Sequence, residues 1–114
     1  MSESSLSELS ISQLRSRRRR LARAVGDPQA TLRGTLKRQG RRCGRAGCRC
    51  AQGEAHGPYL YLAVHADGSG RSVYVPGALA RVVGGLVEAT ARREAALGEI
   101  SRINLELLRR RALG

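Results

Sequence analysis

The segment RCGRAGCRCAQGEAHGPYLY, Arg42 to Tyr61, constrains this chain more than any other stretch. It holds all three cysteines and one of the two histidines. Cys43, Cys48, Cys50 and His56 follow the spacing C-x4-C-x-C-x5-H. Three thiolates and one imidazole would close a tetrahedral shell around a single zinc ion. No position is left open, which is the structural rather than the catalytic arrangement. Gly44, Gly47, Gly53 and Gly57 lie among the ligands. A loop wrapped on a small ion needs tight turns and positive φ angles, which glycine supplies at little cost. Arg41, Arg42, Arg45 and Arg49 flank the set, and their charge would help keep the thiols deprotonated. Two other readings stay open. The cysteines are three reduced thiols in a glycine-rich loop, with His56 capping the Gly57-Pro58 turn, or Cys48 and Cys50 form a redox pair. The segment lacks the helix-starting C-x-x-C of thiol oxidoreductases. His65 reads as a hairpin side chain rather than a ligand.

The rest of the chain gives the ion a reason. With 114 residues there is room for one small domain and a thin core. Three Tyr are the only aromatics, so packing falls to Leu, Val, Ile and Ala. A small domain so poor in aromatics usually needs a metal, a disulfide or a partner chain. No stretch of about 18 apolar residues is present to span a membrane. The first residues, MSESSLSELSISQLR, lack the basic start of a secretory signal. A cytoplasmic, reducing location is expected, where cysteines stay unpaired.

Periodicity predicts an α+β fold. A helix is expected from Ser5 to Val25, with Leu14, Leu21 and Val25 on one face, stopped by Gly26-Asp27-Pro28. Thr31–Gln39 reads as a first strand, weakened by Gly34. Tyr59–Ala66 and Arg71–Val75 flank Asp67-Gly68-Ser69-Gly70 as a hairpin. Leu79, Val82, Val83, Leu86, Val87 and Thr90 then form a helical stripe, and Leu97, Ile100, Asn104 and Leu107 a second one. Unbroken from Gly77 to Arg111, this helix would be about 50 Å long. A bend at Gly98 or a break near Ala95 would shorten it. The expected organisation is a basic N-terminal helix (1–26), a three-stranded antiparallel sheet with the Cys3His loop (27–76) and a long C-terminal helix (77–114) in one compact unit. The first stripe should pack on the hairpin. The second is expected either to pair two copies of the chain as a homodimer or to pair with helix one.

Lys and Arg number 21 against nine acidic residues, a formal net charge of +12. Such a balance attracts polyanions. Arg33, Lys37, Arg38, Arg41, Arg42, Arg45 and Arg49 are the candidate nucleic-acid contacts, around the first strand and the Cys loop. Alternation along the strand would gather part of this charge on one sheet face. Phosphate contacts would dominate, giving salt-sensitive binding of modest sequence preference. The arginines of the first helix read as a solvated face, and Arg109–Arg111 complement a helix C-terminus.

Gly34-Thr35-Leu36, Cys43-Gly44 with Cys48 and Cys50, His56-Gly57-Pro58-Tyr59, Tyr74-Val75-Pro76 and Ile103-Asn104-Leu105-Glu106-Leu107-Leu108 together carry a resemblance. The chain resembles an uncharacterised bacterial family, a domain of unknown function often met near mobile elements. The strand, hairpin and helix order also resembles the arm-type DNA-binding domains of tyrosine recombinases. The first resemblance implies no activity, and the second is an analogy of fold.

Catalytic signals are lacking: there is no paired-carboxylate motif, G-x-S-x-G, P-loop or H-E-x-x-H. The chain is therefore expected not to be an enzyme and to have no small-molecule substrate. The expected function is a zinc-stabilised module that binds nucleic acid, DNA before RNA. The alternative is a helical adaptor that dimerises or docks on a larger DNA-handling complex.

Overall fold

The computed structural model describes residues 6–42, 44–45, 47–48, 53, 56–65 and 70–114, with Arg41 as backbone. The fold is α+β, as the periodicity predicts: helix α1 (Ile11–Ala24), strands β1 (Gly34–Arg41), β2 (His56–Val64) and β3 (Ser72–Tyr74), and helix α2 (Ala80–Arg109). The strands form one antiparallel sheet in the order β1-β2-β3. Asp67, Gly68 and Ser69 of the expected hairpin turn lie outside the described residues. Residues group into two units, Met1–Ala30 with Ala89–Gly114, and Thr31–Glu88.

In the first unit, α1 starts later than the apolar spacing predicts. Ser10 caps it: its Oγ accepts from the Gln13 amide at 3.0 Å, and Gln13 Oε1 accepts from the Ser10 amide at 2.8 Å. This reciprocal capping box fixes Ile11 as the first residue of α1 and separates that helix from the upstream Leu6 and Leu9. Leu6 is helical, and the turn that follows it is closed by the Leu9 amide on the Leu6 carbonyl, 3.1 Å. Gly26, at φ 67°, ends α1, and Asp27 turns the chain by accepting the Gln29 amide at 2.9 Å.

The core of this unit is Leu6, Leu14, Ile103 and Leu107, all at most 2% exposed, with Leu9, Ile11, Leu21 and Ala112 packed around them. The second helical stripe thus pairs within the chain, but in a shifted register. Thr90, Arg93, Ala96, Ile103 and Leu107 are its buried positions, while Leu97 is 44% exposed. Asn104 accepts a 2.7 Å bond from Arg18 Nη1. The helix runs through Ala95 and Gly98 without a break.

In the second unit, strand alternation sorts the side chains. Gly34, Leu36 and Arg38 lie opposite Val64, Leu62 and Leu60 on one face. Leu62 and Val75 are each 5% exposed. A Cβ on Gly34 would stand 2.6 Å from Leu62 Cδ1 and 2.7 Å from the Ala63 carbonyl oxygen. The glycine read as a weakness of β1 is therefore a position with no room for a side chain beside β2. Helix α2 passes near this face at Gly84, where a Cβ would touch Leu36. The expected first stripe is only partly covered. Val83, Leu86 and Val87 are half-buried, but Leu79 and Val82 are 50% and 58% exposed. For Leu79 the reason is local: Gly77–Leu79 form a single 3-10 turn, and α2 begins only at Ala80.

Candidate functional site

The loop between β1 and β2 carries the candidate metal ligands. Gly44 (φ 73°) and Gly47 (φ 79°) both take the left-handed conformation that the wrapping loop was expected to need. The Cys48 amide closes a turn on the Arg45 carbonyl at 3.2 Å, and Arg42 Nη1 donates to the Gly53 carbonyl at 3.0 Å. Across the loop, Cys48 Sγ stands 3.3 Å from His56 Nε2. Sulfur and nitrogen ligands of one tetrahedral zinc ion stand about 3.5 Å apart. A direct hydrogen bond between the two groups has the same separation.

Cys48 is half-buried and outside any disulfide, while His56 is exposed at the first position of β2, opposite Arg41. A register shift between Gln39 and Arg41 sets this end of the ladder. Gly57 follows at φ 105°, where a Cβ would meet the Tyr59 amide at 2.7 Å. Glycine is thus required immediately after His56. Cys43 and Cys50 lie outside the described residues. Among the described residues no group of three or more His, Cys, Asp or Glu is placed to hold a metal ion.

The candidate nucleic-acid contacts divide by strand face. Lys37 lies opposite Tyr61, and Arg33 continues the same alternation two residues before Thr35. Arg38 is on the other face, opposite Leu60, although it too is exposed. Part of the charge, Arg33 and Lys37, thus falls on one alternation as the strand period predicts, and Arg38 stands on the other. Arg42 and Arg45 are exposed in the loop; Arg49 and the Arg41 side chain lie outside the described residues.

The arginines of α1 behave differently from the solvated face expected of them. Arg17 pairs with Glu99, Nε at 2.7 Å from Oε1. Arg18 reaches Asn104 and the Gly114 carbonyl, and Arg15 the Ala112 carbonyl at 3.0 Å. Arg110 binds Glu106 and the carbonyls of Leu6, Ser7 and Leu9. The most enclosed is Arg93, 8% exposed, which donates to the carbonyls of Val25, Asp27 and Ala30. Arg19, Arg20 and Arg23 remain on the exposed side of α1.

Sequence reading did not anticipate where the tyrosines gather. Register puts Tyr59, Tyr61 and Tyr74 on one sheet face with Thr35, Lys37, Gln39 and Ser72. Tyr74 meets Tyr59 and Tyr61 edge to face, at centroid distances of 6.2 and 5.9 Å. Tyr59 is 38% and Tyr74 51% exposed. Beside them His65 Nε2 lies 3.0 Å from Thr35 Oγ1. The i, i+2 spacing of Tyr59 and Tyr61 was the available signal. Tyr74 joins them only through the β2–β3 register, which period alone does not give.

No described helix is long and apolar enough to cross a membrane. A family model described as a domain of unknown function, DUF6788, matches residues 11–83. No curated protein and no solved structure matches the chain.

Proposed function

We propose a nucleic-acid-binding role for this chain, which belongs to the DUF6788 family of domains of unknown function. DNA is the favoured ligand, and one structural zinc ion held by Cys43, Cys48, Cys50 and His56 staples the β1–β2 loop. The observation that carries the reading is the division of the arginines. Those at positions 15, 17, 18, 93 and 110 close on carboxylates, an amide oxygen and carbonyls of the chain. Lys37, Arg38 and Arg45 instead stand exposed around β1 and its loop, beside an exposed Arg42 that also donates to the Gly53 carbonyl. Their charge, within a net +12, is of the kind that neutralises phosphates. The 3.3 Å approach of Cys48 to His56 is a separation that two ligands of the zinc part would share with a direct hydrogen bond. Association with mobile elements and the likeness to recombinase arm domains belong to the same proposal. No catalytic role is proposed.

Retention on heparin and on DNA as a function of salt tests the reading. With about six phosphate contacts, log K should fall against log salt with a slope of about −5. Replacing Lys37, Arg42 and Arg45 with Ala should flatten that slope by up to about three units, with little change in sequence preference. No retention at about 50 mM salt would overturn it.

A second reading is a helical adaptor that docks through α2. Leu97, Leu105 and Leu108 favour it, exposed at 44%, 40% and 56% on a helix whose Ile103 and Leu107 are covered. Light scattering that shows a dimer, lost on replacing Leu97 and Leu108 with Ser, would support this reading.

A further inference from the structure

We infer that the tyrosine face of the sheet is a stacking platform for a single-stranded nucleic acid. This rests on the nucleic-acid reading above and narrows it to unpaired strands. All three aromatic residues of the chain lie on one face of a three-stranded sheet. Tyr74 is half-exposed, although its ring touches both other tyrosines. Edge-to-face packing joins the edge of one ring to the face of another, so it cannot cover every ring face. A cluster that served only to hold the sheet would gain more by lying on the opposite face, where Leu62 and Val75 are buried.

The neighbours of the rings have the chemistry of a backbone track. Lys37 is exposed and directly opposite Tyr61, and Tyr61 is in turn opposite Tyr74. Gln39, Thr35 and Ser72 add neutral polar groups on the same face, and no Asp or Glu falls among these paired positions. Aromatic side chains beside cations bind unpaired bases with little sequence preference, because every base has a π face. In a duplex those faces are hidden by neighbouring base pairs, so the platform discriminates against paired strands.

The test uses a property of the composition. With no Trp in the chain, the tyrosine emission comes entirely from this face. The full chain is titrated with a thymidine 12-mer, a uridine 12-mer and a 12-base-pair duplex, following tyrosine emission and the anisotropy of labelled strands. Either single strand should quench the emission on binding, and the two pyrimidine arms tell deoxyribose from ribose preference. Tyr59→Leu and Tyr74→Leu should each weaken single-strand binding about 5- to 100-fold, while Tyr74→Phe stays near the parent. Duplex binding should be indifferent to these changes. Binding of strands with unchanged emission and no loss in the leucine variants overturns the platform but leaves phosphate binding standing. No binding to any of the three probes removes both readings. If a leucine variant fails to fold, quenching of the unaltered protein still decides.

Discussion

Arg93 Nε stands 2.7 Å from the carbonyl oxygen of Val25, the residue that caps the C-terminus of α1. The same guanidinium donates to Asp27 at 2.7 Å and Ala30 at 3.3 Å, so one side chain of α2 gathers the turn that leaves α1. The helix-end carbonyls have no partner within their helix, and a cation there also opposes the helix dipole.

Arg93→Ala is therefore expected to destabilise the protein by about 2–4 kcal/mol, since it strips charge-assisted bonds from several carbonyls at once. Arg93→Lys keeps the charge but not the fork, and should recover only part of the loss. Arg19→Ala, on the exposed side of α1, should change stability by less than about half a kilocalorie. Denaturant midpoints of the three variants check the order.

Two glycines should respond in opposite directions to alanine. Gly34→Ala drives a methyl into Leu62 and against the Ala63 carbonyl, and the backbone contact cannot be relieved by a rotamer change. A loss of about 1–3 kcal/mol is expected. Gly85 lies within α2 with nothing within 4 Å of a Cβ. Gly85→Ala should stabilise by about 0.5–1 kcal/mol, through helix propensity and a less flexible unfolded chain. Thermal melts with opposite shifts would bear this out; a neutral Gly34→Ala would mean the strands can separate there.

The element order was legible in the sequence because apolar period and turn residues agree over most of the chain. The boundaries were decided by polar groups that period does not weigh. Ser10 and Gln13 form a capping box at the S-x-x-Q spacing, a written signal that outranks the leucines before it. The register of the α2 stripe was missed for a similar reason. Arg93 is buried in it beside Thr90, and a hydrophobic count passes over an arginine. Leu97 was counted in its place and is exposed. At the candidate site, the glycine conformations at 44 and 47 and the pairing of Cys48 with His56 follow from residue type and spacing. The tyrosine face does not, because it needs the register of the β2–β3 hairpin that sets Tyr61 opposite Tyr74, which alternation alone does not fix.

Core truncations should separate the two stripes of α2. Leu107 is fully buried against Leu6, Leu14 and Ile103, and Leu107→Ala should cost about 2–5 kcal/mol. Val82 is 58% exposed, and Val82→Ala should cost less than about half a kilocalorie. Leu86, half-buried, should fall between them. A large loss at Val82 would mean that another surface covers it in solution.

The Cys48–His56 pair distinguishes zinc from a hydrogen bond by the behaviour of serine. If the 3.3 Å approach is a thiol–imidazole bond alone, Cys48→Ser keeps a hydroxyl that can donate to His56. Stability should then change by about 1 kcal/mol or less, and no metal should be present. If the pair is half of a zinc shell, serine replaces a thiolate with a much weaker ligand. Metal affinity is then folding free energy, because the ligands converge only in the folded chain. On this proposal the purified protein carries about one zinc per chain, a strong chelator unfolds it, and Cys48→Ser, Cys43→Ser, Cys50→Ser and His56→Ala each release the metal. Cobalt substitution adds a readout independent of stability, since thiolate-to-cobalt absorption reports sulfur ligation directly. His65→Ala serves as the control, because that imidazole is turned to Thr35 and should leave the metal content unchanged. Metal-free protein that stays folded in chelator, with a near-neutral Cys48→Ser, would reduce the loop to a hydrogen-bonded turn.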